Sequence, residues 1–168
     1  MIFTPLYFFL LIELIFVSYG DLKYRKISNL WSIVNLAFSL LLFVSYPKLY
    51  PFNLSTFQYT FVFIMVGFIL FQLKIMGGGD SKYLATFFLL IPYKSQDEVF
   101  SYLLISTIFI GVMFFVNNVL KNYDKIMQSI VDKNLEGVKS CFGSKFPFAP
   151  VILVSWILVG WELKVFIF

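Results

Sequence analysis

Residues 77–93 read Gly77-Gly78-Gly79-Asp80-Ser81-Lys82-Tyr83-Leu84-Ala85-Thr86-Phe87-Phe88-Leu89-Leu90-Ile91-Pro92-Tyr93: three glycines, a carboxylate, then an apolar stretch at 83–93. A helix that crosses a bilayer needs about 20 apolar residues, with about 17 to 25 tolerated. The 83–93 stretch falls short of that. It is either a re-entrant segment or a short span sheltered by neighbouring helices, since bare backbone at membrane depth survives only inside protein. The choice fixes the fold, because it sets the side of the membrane on which everything after it emerges.

Five other runs reach or approach spanning length, at about 2–19, 30–46, 57–76, 98–120 and 147–166. Lysine and arginine decide between five spans and six. With six spans and the N-terminus outside, the inner links are 20–29, 74–82 and 121–146. They carry Lys23, Arg25, Lys26, Lys74, Lys82, Lys121, Lys125, Lys133, Lys139 and Lys145, while the outer segments carry only Lys48, Lys94 and Lys164. Cytoplasmic links are the ones enriched in cations. A non-spanning 83–93 would put the basic links 20–29 and 121–146 on opposite sides. The expectation is therefore an all-α, polytopic membrane protein of six transmembrane helices, the fourth short, forming one domain over 1–168.

Composition agrees. Of 168 residues, 60% are hydrophobic and 13% charged, whereas a soluble domain is about a quarter charged. Too few polar residues exist to cover a soluble surface. The net charge of +4 sits in the short links, which suits headgroup contact and orientation, with lipid rather than nucleic acid as partner. The N-terminal run lacks a basic start, contains Glu13 and shows no small-residue cleavage site before Asp21, so it reads as a first span and not as a signal peptide. Link 121–146 places Ile126, Met127, Ile130, Val131 and Leu135 at near-helical spacing. An interfacial amphipathic helix and a solvated loop both fit that pattern.

The chain has no histidine and one cysteine, Cys141. That removes Ser-His-Asp and Cys-His catalysis, the HExxH zinc site and any cysteine zinc cluster. No metal or cofactor is expected, and chemistry must rest on carboxylates. Asp97 and Glu98 lie in an outer turn, Asp124, Asp132 and Glu136 in the polar inner link, and Glu162 near the outer end of the last span, where solvation or interface anchoring accounts for them. Glu13 sits near mid-depth in span one, 80° around the helix from Asp21, and reads as polar glue toward a group such as Asn35 or Gln72. Asp21 and Asp80 remain. Each taken alone is an ordinary helix-end carboxylate. Together they fall on one membrane face, within a repeated G-D-x-K-Y pattern at 20–24 and 79–83. Two neighbouring carboxyl groups do not both ionise readily, so one can act as base on a water while the other donates a proton.

Three motifs carry a resemblance. Asp21-Leu22-Lys23-Tyr24-Arg25-Lys26-Ile27-Ser28-Asn29 resembles the D-x-(K/R)-x-R-x-I-P-N signature of type IV prepilin peptidases. Gly77-Gly78-Gly79-Asp80-Ser81-Lys82 matches the GxGDxK element of the GxGD intramembrane aspartyl proteases. Phe146-Pro147-Phe148-Ala149-Pro150 is similar to a PFGP-like motif before the last span. The order is the family's order, and the resemblance covers essentially the whole chain. It implies a catalytic pair Asp21 and Asp80, with Gly77, Gly79, Lys23, Asn29, Lys82, Pro147 and Pro150 in supporting positions.

The resemblance further implies an aspartic endopeptidase of the cytoplasmic (inner) membrane of a prokaryote. Such an enzyme removes the short cytoplasmic leader from type IV prepilin or pseudopilin precursors, and pilus or secretion assembly components are its wider partners. Ser28 replaces the usual proline, which would loosen the turn before Asn29, and Ala149 replaces the usual glycine. The two CxxC pairs associated with N-methyltransferase activity are missing, which likens the chain to the small peptidase-only members of tight-adherence (Flp-type) pilus systems. The competing reading is a non-enzymatic transporter subunit or assembly scaffold, suggested by intramembrane Glu13 and the glycine-broken entry to span four.

Overall fold

The structure is a computed structural model and describes residues 4–73, 76–131 and 147–162, with the backbone alone at Ser129 and Ile130. Seven α-helices occupy these residues: α1 (Thr4–Tyr24), α2 (Asn29–Ser45), α3 (Leu54–Gln72), α4 (Gly78–Leu89), α5 (Gln96–Lys121), α6 (Tyr123–Val131) and α7 (Ala149–Glu162). A 3-10 turn over Tyr93–Ser95 joins α4 to α5. Three stretches are long and apolar enough to cross a membrane, Thr4–Tyr24, Leu54–Gln72 and Tyr93–Lys121, while α2 and α7 are shorter apolar helices.

Apolar side chains face outward as well as into the core. Helix α5 buries Gln96 and Ser106 while exposing Leu104, Ile105, Ile108, Phe109, Val112 and Met113. Helix α3 buries Thr56 and exposes Phe61, Ile64, Met65, Phe68 and Ile69. Apolar surface on that scale has a stable place in lipid and none in water. This is a membrane protein.

Helix α4 sits at the centre. It packs against α2 and α3, while α7 packs against α1 and α5. Tyr83, Leu84, Ala85, Phe87, Phe88 and Leu89 are all buried, and burial continues through Leu90 and Ile91. At 1.5 Å per residue its 12 residues extend about 18 Å, well under the ~30 Å hydrocarbon thickness. The shelter expected for a short apolar segment is therefore present, although the helix covers 78–89 and not 83–93. The shift has a local cause: Gly78, Gly79 and Asp80 form its first turn, and the Asp80 carboxylate satisfies the amide of N-cap Gly77.

Side chains pin α4 to its surroundings. The Gln96 amide nitrogen donates to the carbonyls of Thr56, Phe88 and Ile91 at 3.1, 3.0 and 3.2 Å, tying the start of α5 to α3 and to the end of α4. The Tyr50 hydroxyl donates to the Leu90 carbonyl at 2.8 Å. Gln96→Leu removes three buried hydrogen bonds and should cost about 1–3 kcal/mol, read as a lowered unfolding midpoint in detergent. An unchanged midpoint would contradict this.

Helix α1 runs beyond the apolar stretch of about 2–19, through Asp21 to Tyr24, so Asp21 and Lys23 are helical. Arg25, at φ 52°, ends it in the left-handed conformation, and its amide donates to the Asp21 carbonyl at 2.8 Å. Residues 123–131 of the 121–146 link are helical, with Tyr123, Met127 and Val131 exposed at i, i+4 and i+8. That spacing makes one apolar stripe, the pattern of an amphipathic helix rather than of a loop for that part. Residues 132–146, with Asp132, Glu136 and Cys141, lie outside the described residues, as does Lys74.

Candidate active site

Asp21 stands in the last turn of α1 and is buried, at 4% exposure. Its Oδ2 accepts a hydrogen bond from the Ala149 amide at 3.0 Å. Ala149 opens α7, so this amide is one that no intrahelical carbonyl can satisfy. A helix N-terminus is where a carboxylate is best accommodated. Proline suits this start: buried Pro147 precedes the helix and Pro150 lies in its first turn, where a missing N–H costs nothing.

Ala149→Pro tests that contact, because proline at the first helical position spares the helix but deletes the donor. Losing a hydrogen bond to a charged group, worth about 1.5–3 kcal/mol, should slow the site's reaction by about 10- to 100-fold. Ala149→Gly keeps the donor and serves as the control. Equal rates for the two variants would remove the amide from the site.

Asp80 is half-buried in the first turn of α4, and its Oδ2 accepts from the Gly77 amide at 3.0 Å. Gly79 explains why a glycine precedes it. A Cβ built at Gly79 would lie 2.7 Å from the Ile27 carbonyl oxygen, closer than any side chain allows. The α4 N-terminus thus lies directly against the α1–α2 link at buried Ile27, six residues after Asp21. At Gly77 a Cβ would come 2.9 Å from Asp80 Oδ2. Both glycines make room, one for a neighbouring backbone and one for the carboxylate.

The supporting positions divide. Ser28 does not loosen the turn: at φ −70° it holds the angle proline would impose, and its Oγ accepts from the Leu30 amide at 3.3 Å as the N-cap of α2. Asn29 is the exposed first residue of α2. The Lys23 ammonium lies 5.9 and 5.2 Å from the ring centres of Tyr19 and Tyr24, an arrangement suited to interfacial anchoring. Lys82 is exposed. Sequence reasoning did not single out Ala149 as the donor to Asp21, nor Ile27 as the surface against Gly79. The signal for Ala149 was its place in a Pro-x-x-Pro helix start.

A model of the type IV leader peptidase family matches residues 8–116. The chain belongs to the type IV leader peptidase family. The matched region holds both aspartates, most of α1, all of α2 through α4 and most of α5, and it ends before the Pro147–Pro150 element. Searches among curated proteins and among solved structures returned no match. Among the described residues no group of three or more His, Cys, Asp or Glu could hold a metal ion.

Proposed function

We propose that this leader peptidase is an intramembrane aspartyl endopeptidase whose catalytic pair is Asp21 and Asp80, and that it removes the short cytoplasmic leader from type IV prepilin or pseudopilin precursors. The observation that carries the reading is the close approach of Gly79 to the Ile27 carbonyl. It seats the segment that follows one aspartate against the residue that precedes the other. The topology in this reading has six spans with the N-terminus outside, α4 serving as the short fourth, and the site at the cytoplasmic face of a prokaryotic inner membrane.

In the reaction one carboxylate takes a proton from water as its oxygen attacks the scissile carbonyl carbon. The other carboxyl, protonated, gives its proton to the carbonyl oxygen. Collapse of the tetrahedral gem-diol returns one hydroxyl proton to the second carboxylate as C=O re-forms and the C–N bond breaks, and the amine leaves with the proton from the first carboxyl. The substrate helix is apolar and docks among the spans, while its basic leader stays in water. A cationic inner face offers that leader no attraction, so recognition rests on the helix. The missing CxxC pairs leave cleavage without N-methylation.

Co-expression with a candidate prepilin from the same genome tests this directly. A shortened pilin should appear on a gel only when the intact chain is present and inserted. Precursor that keeps its full length beside well-inserted enzyme, across all prepilin-like proteins of that genome, would overturn the assignment.

A further inference from the structure

Glu13, on α1, is 3% exposed, and Asn35 on α2 and Tyr83 on α4 are completely buried. The Glu13 carboxyl looks onto the Tyr83 hydroxyl and the Asn35 amide. Yet both Glu13 oxygens, both Asn35 amide atoms and the Tyr83 hydroxyl close no hydrogen bond of acceptable length and angle with the described residues. Ser32, one turn from Asn35 toward the α1–α2 link, has an Oγ in the same condition. Three helices therefore aim donors and acceptors into one buried place, which is costly unless something bridges them.

The chemistry of the set selects the bridge. The Glu13 carboxyl accepts, and donates when it holds a proton, while the Asn35 nitrogen only donates and the Tyr83 hydroxyl does both. A cation would satisfy the oxygens and leave the Asn35 nitrogen unpaired. Water donates and accepts, and buried water typically makes about three hydrogen bonds to such groups.

The position is suggestive too. Tyr83 is three residues beyond Asp80 on α4, about 4.5 Å of helix rise, and Glu13 is eight residues before Asp21 on α1, about 12 Å. The place lies on the membrane side of the aspartates, where bulk water is scarce and hydrolysis consumes one water per bond.

We propose that Glu13, Asn35 and Tyr83 form a buried water-binding site behind the aspartate pair, and that this water supplies the hydrolytic reaction. The second half rests on the catalytic reading above; the first does not.

Radiolytic hydroxyl-radical labelling of the wild-type protein tests the site without any substitution, because radicals born on bound water oxidise the side chains beside it. Tyr7 is the internal control. It is as completely buried as Tyr83, but its hydroxyl donates to the Trp156 carbonyl. Tyr83 should be oxidised several-fold faster than Tyr7, and equal protection of the two overturns the site.

The supply role is read in cleavage of a prepilin substrate. Glu13→Leu should lower kcat several-fold with KM unchanged, and Glu13→Gln, which keeps size and hydrogen bonding, should recover most of that loss. Labelled Tyr83 with an unaltered kcat in Glu13→Leu overturns the supply role. Labelled Tyr83 in a wild-type protein that cleaves no prepilin overturns the catalytic reading and leaves the water site standing.

Discussion

Asp21→Asn and Asp80→Asn should each reduce leader removal by at least about 10²- to 10⁴-fold, the range general acid–base groups contribute. The two substitutions are well matched to the site. An asparagine carbonyl oxygen can still accept from the Ala149 amide at position 21 or from the Gly77 amide at position 80, the bonds the carboxylates make at 3.0 Å. Helix ends and packing should survive, and only the ability to exchange a proton is lost. Membrane insertion and detergent unfolding midpoints close to wild type are part of the expected result. Both variants processing prepilin within tenfold of wild type would mean that these carboxylates do no proton chemistry.

Gly79→Val should be nearly as damaging to activity by a different route. Its Cβ would fall 2.7 Å from the Ile27 carbonyl. The obstacle is backbone, which cannot swing aside as a side chain does, so either the α4 N-terminus or the α1–α2 link must move by an appreciable fraction of an ångström. Misplacement of reacting groups by about 1 Å can cost about 100-fold in rate. Gly79→Ala should show the same defect in milder form. Gly111, where an added Cβ meets nothing within 4 Å, is the control: Gly111→Ala should process prepilin normally. If Gly79→Val retained wild-type cleavage, the close approach would have no bearing on the site.

Much of this was legible from the order of residues. Helices α1, α2, α3, α5 and α7 could be found from the length of apolar runs, since lipid imposes a minimum length and excludes charge. Asp21 and Asp80 stood out because a chain without histidine has few other means of moving protons. The depth and polarity of Glu13 pointed to a polar neighbour such as Asn35 or Gln72, and of the two it faces Asn35 while Gln72 is exposed.

The ends of elements were harder. The length of an apolar run marks neither the end of α1, which runs through Asp21 to a left-handed Arg25, nor the start of α4 among glycines that Asp80 caps. The partner of Asp21 was beyond local reading altogether, since the Asp21–Ala149 bond joins residues 128 apart in sequence. At Ser28 residue type alone points to a looser turn, whereas the backbone angle it adopts, φ −70°, is the one proline would impose.

Helix α4 also bears on how the protein comes to be made. Emerging from the ribosome, its twelve residues are too short to be held in a bilayer and too greasy to be left in the cytosol. They find a stable place only against α2 and α3, both of which precede them in the chain. The partner that caps the far end, Gln96, is synthesised just afterwards. Biogenesis should therefore have an order: nascent chains halted before Gln96 clears the insertion machinery should expose the glycine-aspartate segment to protease, and chains halted well beyond it should not.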